Sequence, residues 1–214
     1  MKKIFNKKTL MIGMLTSILL LAIVTPSAPL VSAANIECTS DIESGTFDDN
    51  VVVPEGETCG LYALTGDITI NGNLTVEKGA TLLIIGEHYG YSVTITGNIK
   101  ADDAERVSIN GVSVGGNIQV KNTQSGVDLS NSNVVGNVQI SDNLHFYSVV
   151  TSNIGGNLQV MKNSSDLTSA YYFNFAGNTV GGNLDCSQNN PAPVSYDFGP
   201  NSVTGTKKNQ CANL

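Results

Sequence analysis

A six-residue phrase recurs through this chain and restricts its fold more than any other feature. Gly115-Gly116-Asn117-Ile118-Gln119-Val120 returns as Val135-Gly136-Asn137-Val138-Gln139-Ile140, as Gly155-Gly156-Asn157-Leu158-Gln159-Val160 and as Gly181-Gly182-Asn183-Leu184-Asp185-Cys186. Looser copies stand at Asn71-Gly72-Asn73-Leu74-Thr75-Val76 and Thr96-Gly97-Asn98-Ile99-Lys100-Ala101, and Thr206 looks like a degenerate last one. Internal periods near twenty residues mark a solenoid, in which each repeat is one rung that cannot bury its apolar face alone.

The phasing inside a period is sharper than the phrase. One residue after each Asn stand Leu74, Ile99, Ile118, Val138, Leu158 and Leu184, and three after stand Val76, Ala101, Val120, Ile140, Val160 and Cys186. Ten before lie Val107, Val127, Tyr147, Phe173 and Tyr196; eight before lie Ile109, Leu129, Val149, Phe175 and Phe198; three before lie Ile95, Val114, Val134, Ile154, Val180 and Val203. Pairs at period two are half-buried strands. Three such sides per period, divided by Gly and Asn corners that tolerate positive φ, make a triangular coil. In the first coil Tyr62 and Leu64 look like the inward pair. No i, i+3, i+4, i+7 stripe runs through the repeats, and Gly, Asn, Ser, Thr and Val dominate them, so helix is disfavoured. The expected fold is all-β: a right-handed parallel β-helix of about seven coils stacked ~4.8 Å apart, with disulfide-closed caps. Asn73, Asn98, Asn117, Asn137, Asn157 and Asn183 should form a structural amide ladder, and Gln119, Gln139 and Gln159 a second column on the outer face.

Residues 1–33 read as a signal peptide. Lys2, Lys3, Lys7 and Lys8 precede an apolar run from Leu10 to Val24, and Val31-Ser32-Ala33 offers small residues for cleavage. The apolar run falls short of the ~20 residues a spanning helix needs, and no later stretch reaches that length. The expected location is therefore outside a bacterial cell, Gram-positive by the style of the leader, with no membrane span after cleavage. Residues 34–60 are acidic and read as an N-terminal cap that covers the first rung's strand edges. Residues 61–214 are the β-helix domain with a C-terminal cap.

The exported part holds all eighteen acids but only seven of the eleven bases. Nucleic acid is disfavoured as a partner, because phosphate neutralisation needs a basic stripe. An anionic polymer is disfavoured by the same charge. All four cysteines, Cys38, Cys59, Cys186 and Cys211, lie beyond residue 33, and an even count in an oxidising compartment favours disulfides. Of the three possible connectivities, Cys38–Cys59 with Cys186–Cys211 is favoured, since each pair brackets one end of the repeats. Each closure should stabilise by about 3 kcal/mol on chain-entropy grounds. No CxxC spacing points to a metal.

The repeat phrases resemble a family of secreted bacterial β-helical proteins without an assigned activity. The resemblance is carried by Gly115-Gly116-Asn117-Ile118-Gln119-Val120 and its copies, by Asn178-Thr179-Val180-Gly181-Gly182-Asn183-Leu184-Asp185-Cys186 with Asn190-Pro191-Ala192-Pro193, and by Gln210-Cys211-Ala212-Asn213-Leu214. It covers most of 60–214 and departs at Thr206-Lys207, where that family implies Asn-Lys. A looser similarity links Val107-Ser108-Ile109-Asn110-Gly111 and Gly116-Asn117-Ile118 to bactofilins, which implies end-to-end filaments.

Chemistry-bearing candidates are few. Parallel β-helices of the pectate-lyase-like superfold include polysaccharide lyases and hydrolases, and a glycosidase needs two carboxylates across a bond. Glu77, Asp102 and Asp103 are the candidate acidic cluster, as a carboxylate pair or calcium site, against a solvated face with Lys121. Arg106, the lone arginine, reads as a surface partner of Glu105 rather than a base. His88 and His145 have no nucleophile pattern beside them. Tyr89, Tyr91, Tyr171 and Tyr172 offer an aromatic binding patch in a chain without Trp. No cofactor motif occurs. The sequence thus favours a secreted, non-enzymatic, monomeric module that binds an extracellular ligand or cell-surface polymer or has a surface-structural role. A polysaccharide-active enzyme and a bactofilin-like filament former remain the alternatives.

Overall fold

In a computed structural model, residues 35–87, 89–145, 148–165 and 173–214 are described. The leader expected over 1–33, and His88, Tyr147, Tyr171 and Tyr172, lie outside the described residues. Ala33–Leu214 is a compact unit. It is a parallel β-solenoid of about seven turns. Among the described residues there is no helix, and so none long and apolar enough to cross a membrane.

A complete turn lays one strand on each of three walls, and the turns at the ends of the rod are incomplete. The first wall holds nine strands, Ile36–Glu37, Val51–Val53, Leu74–Val76, Ile99–Asp102, Ile118–Lys121, Val138–Ser141, Leu158–Met161, Leu184–Ser187 and Lys207–Asn209. The second holds six: Thr58–Tyr62, Thr81–Ile85, Arg106–Asn110, Val127–Ser130, Ser148–Val150 and Asn174–Ala176. The third holds eight: Gly45–Phe47, Ile68–Ile70, Val93–Ile95, Val112–Val114, Asn133–Val134, Asn153–Ile154, Thr179–Val180 and Ser202–Val203. The segment expected to cap the solenoid, 34–60, itself contributes rungs to all three walls.

Register is strict because one face of every strand is buried, and a one-residue slip would turn that face outward. Ile99, Ile118, Val138, Leu158 and Leu184 pair in one parallel column. Each is at most 1% exposed. The column of Ala101, Val120, Ile140, Val160 and Cys186 lies beside it, and the other walls supply Val107, Val127 and Phe173, with Ile95, Val114 and Val134, to the same continuous core. Both favoured disulfides form, Cys38–Cys59 and Cys186–Cys211, with Cα atoms 5.5 and 5.2 Å apart. Cys59 and Cys186 are core residues as well, so each bridge ties an end of the chain to an interior column.

Two sequence expectations fail at the ends of the rod. Tyr62 and Leu64 are not the inward pair of the first repeat; Cys59 and Leu61 are, on a second-wall strand followed by a longer corner, 63–67. The inferred phase assumed the short corner of the middle rungs. Tyr196 and Phe198 do not point inward either, and are 41% and 53% exposed. The second wall's strands end at Asn174–Ala176. Beyond them a single parallel bridge pairs Asn174 with Val194, and the Asn174 side chain holds the segment that follows, its Nδ2 donating to Tyr196 O and its Oδ1 accepting from Tyr196 N, both at 2.9 Å. Without a paired strand, alternation no longer holds those rings inward.

The Gly-Asn corner joins the third wall to the first. A Cβ placed on Gly136 would sit 2.5 Å from Asn117 Oδ1 and 2.6 Å from Gly116 O. The demand on this glycine is close approach of the rung beneath, not the positive φ expected from sequence. Left-handed residues turn the other two corners: Asp103, Asn122, Asp142, Lys162 and Gln188 between the first and second walls, and Gly111, Asn131, Thr151 and Gly177 between the second and third.

The expected Asn ladder is present, on the exterior, and is longer than expected. Oδ1 of Asn117 accepts from both N and Nδ2 of Asn137, at 2.8 and 3.2 Å, and the same pair of bonds joins Asn73, Asn98, Asn157 and Asn183 to the rungs beneath them. Asn50 begins the ladder and Thr206 ends it, with N and Oγ1 donating to Asn183 Oδ1. Two further ladders are buried. Thr123, Asn143, Asn163, Asn189 and Gln210 stack at the corner between the first and second walls. Ser132, Ser152, Asn178 and Asn201 stack between the second and third. Their amides also donate inward, as Asn163 Nδ2 does to Ile140 O at 3.1 Å. Their oxygens accept from corner N–H groups, as Asn163 Oδ1 does from Asn143 N at 3.1 Å, and so satisfy donors that the left-handed corners leave without a strand partner.

The two kinds of amide should differ in energy. Asn163→Ala leaves the buried Asn143 N–H without its acceptor and should cost about 1–3 kcal/mol, whereas Asn137→Ala, where water reaches the orphans, should cost less. Chemical denaturation of both variants measures the difference; equal losses would refute it. Gly136→Ala should destabilise by about 1–3 kcal/mol through overpacking against backbone, read in the same experiment.

Candidate functional site

A groove of about 810 Å³ runs along the outer face of the first wall, over the rungs from Asn50 to Gln159. One edge is the exposed Asn ladder. The floor is the outward column in which Thr75 pairs with Lys100, Lys100 with Gln119, Gln119 with Gln139 and Gln139 with Gln159. Gln119 Nε2 donates to Gln139 Oε1 at 3.2 Å, and Gln159 continues the column in register. An amide nitrogen carries two hydrogens. Each corner Asn gives its neighbour one, and the other is left at the exposed edge. Along the ladder edge, and over the three glutamine rungs of the floor, the groove thus offers much the same donor and acceptor set rung after rung, at the ~4.8 Å strand spacing. Charge enters only towards its N-terminal part, with Glu77 and Lys100.

The acidic candidates lie at the end of this wall. Asp102 Oδ2 is 2.7 Å from Lys121 Nζ, and Asn122 Nδ2 donates to Asp102 Oδ1 at 3.1 Å. The Lys121 hydrogen bond holds the Asp102 carboxyl below its ordinary range, and the lysine is raised in return. Both groups are well exposed, so solvent screens the pair and it contributes little to stability. Among the described residues, no three His, Cys, Asp or Glu side chains are grouped to hold a metal ion, Glu77, Asp102 and Asp103 included. Of the tyrosines, Tyr89 and Tyr91 are exposed on the longer second-to-third corner of one rung, 78% and 37% accessible.

A second concavity, about 450 Å³, lies on the second wall, and none of its residues was singled out from sequence as a site. Asp128 is half-buried in its floor, in an outward column with Ser148 and Asn174. Ser148 donates to Asp128 Oδ1, and Ser130 Oγ to Oδ2 at 3.2 Å. Burial pushes the Asp128 carboxyl up, against the opposing effects of those hydroxyls and of the Arg106 charge. Tyr196, Asp197 and Phe198 overhang one side, and Asn131 and Thr151 line another. Two carboxylates, Asp128 and Asp197, thus share one depression. The sequence signal for this site was the outward run Ser108, Asp128, Ser148 and Asn174, small polar residues with one acid, followed by aromatics that were assigned to the core.

The chain matches no protein-family description, no curated protein and no solved structure.

The raised Asp128 carboxyl has a consequence for stability. The folded protein holds this proton more tightly than the unfolded chain does. As pH rises above the ordinary Asp value of ~3.9, the unfolded state gives up the proton first, and stability falls until the raised value is passed. Asp128→Asn removes this loss. The melting midpoint of the variant, relative to the unsubstituted protein, should therefore climb as pH increases across that window and then level off; a difference independent of pH would contradict the assignment.

Proposed function

We propose that this protein is a secreted, non-enzymatic binding module whose first-wall groove holds an extended, neutral polymer, with a glycan strand as the best chemical fit. The observation that carries the proposal is the repetition of amide donors and acceptors along an open groove. Hydroxyl-rich chains pair with amides without needing charge. The rung spacing is close to the length of one sugar unit in an extended glycan, so successive units meet equivalent groups. Catalysis needs different groups converging on one bond, whereas a repeated column binds many bonds alike and selects none. The acidic exterior disfavours anionic strands. The two disulfides fit an oxidising extracellular setting.

The test is co-sedimentation of the oxidised protein with cellulose, chitin and purified peptidoglycan, with release of reducing ends followed in parallel. Retention on at least one polymer is expected, together with about tenfold weaker binding in Gln119→Ala/Gln139→Ala, which removes two floor amides. Failure to bind any of the three, or release of reducing ends, would overturn the proposal.

A further inference from the structure

We propose that the depression on the second wall is a separate ligand site that holds one neutral pyranose ring. The inference does not rest on the first-wall groove, since no residue is shared between the two. Its volume lies in the range of sites for small molecules.

A sugar ring asks for acceptors for adjacent hydroxyls, a few donors, and an apolar surface for its C–H face. The Asp128 carboxylate has about four lone-pair positions, and Ser148 and Ser130 occupy two. The rest can accept hydroxyls of a ligand, with Asn131 and Thr151 beside them. Phe198 and Tyr196, exposed at the rim, supply the apolar surface. The charged groups that bear on Asp128 are Arg106 on its own wall and Asp197 in the overhang. With Asp128 ionised, the two acids outnumber the one base, so the site is net negative and unsuited to an acidic sugar.

The site is also preorganised. Asn174 clamps Tyr196 through two backbone bonds, and Gly177 N donates to Gly199 O at 2.9 Å, which pins the overhang. A Cβ on Gly177 would meet Phe198 O at 2.8 Å, and Gly177 has a φ of +67°, so this rung is shaped to receive the overhang. Thr151, a β-branched residue, is held at a φ of 50°, with Oγ1 donating to Asn131 Oδ1 at 2.6 Å. This left-handed turn is the one that the second-to-third corner makes at successive rungs, and it sets Thr151 and Asn131 side by side at the edge of the site.

The test uses the oxidised protein recovered from expression of the full chain. The methyl β-pyranosides of glucose, galactose and N-acetylglucosamine are titrated in turn, with methyl β-glucuronide as the acidic comparison. Binding is followed by chemical-shift changes across the assigned spectrum. At least one neutral glycoside should bind, shifting the Tyr196 and Phe198 ring signals, and the glucuronide should bind more weakly. Phe198→Ala, at an exposed position that leaves the core intact, should weaken binding about three- to tenfold; Asp128→Asn should weaken it as well. The proposal is overturned if no neutral glycoside shifts these rings, if the glucuronide binds as tightly, or if the shifts fall only on first-wall residues. The last result would leave the groove proposal standing, so the two readings fail separately.

Discussion

Parallel pairing of each rung with the next is the constraint from which the rest of this structure follows. A backbone that bonds along the rod axis must present the same slot at every rung. Whatever occupies a slot is then stacked on its own kind, or on something of equal size. Apolar side chains gain from this because the columns close-pack without voids. Amides gain because one oxygen can accept from both the backbone and the side chain of the neighbour. The Gly-Asn corner is where both demands meet. The asparagine oxygen that bonds the next rung also occupies the space in which that rung's Cβ would stand, so the glycine before each ladder asparagine from Asn98 onward is a consequence of the ladder.

The same rule separates what was legible in the sequence from what was not. The exterior ladder and the columns of Ile118, Val138 and Leu158 repeat without exception through the middle rungs, and periodicity alone placed them. The disulfide pairing was legible because each cysteine pair brackets an end of the repeats. The buried ladders were missed. Their slot holds Ala104, then Thr123, then Asn143 and Asn163, so its chemistry changes along the rod, and a polar residue just past a strand reads as loop. Asn50 was missed although Asn50-Val51-Val52-Val53 is a copy of the motif, because its surroundings are acidic rather than glycine-rich. Tyr196 and Phe198 were misplaced because a phase read from paired rungs was carried past the last second-wall strand.

The candidate sites divide along the same line. The first-wall groove is a direct product of repetition, and its amides follow once the ladder is recognised. The second-wall depression exists where repetition stops: a missing strand, an overhanging segment and a left-handed corner bring different side chains together. Its composition was visible residue by residue, but the juxtaposition of Asp128 with Phe198 depends on how the last turn departs from the others. Uniform chemistry suits a long ligand and irregular chemistry a compact one, which is why the two surfaces carry different proposals.

The direction of the side-chain ladders has a consequence of its own. In the exterior asparagine ladder, donors on the later rung face the oxygen of the earlier one, as Asn137 does to Asn117. In both buried ladders the sense is reversed, as Asn143 donates forward to Asn163 and Ser152 N to Asn178. The amide dipoles outside and inside therefore oppose one another along the axis. An α-helix accumulates a macrodipole as its peptide units align, but here each added rung brings a component of either sign. The exterior ladder therefore offsets part of the polarisation that the buried ladders add with each turn, and duplication of the twenty-residue unit would extend both contributions together.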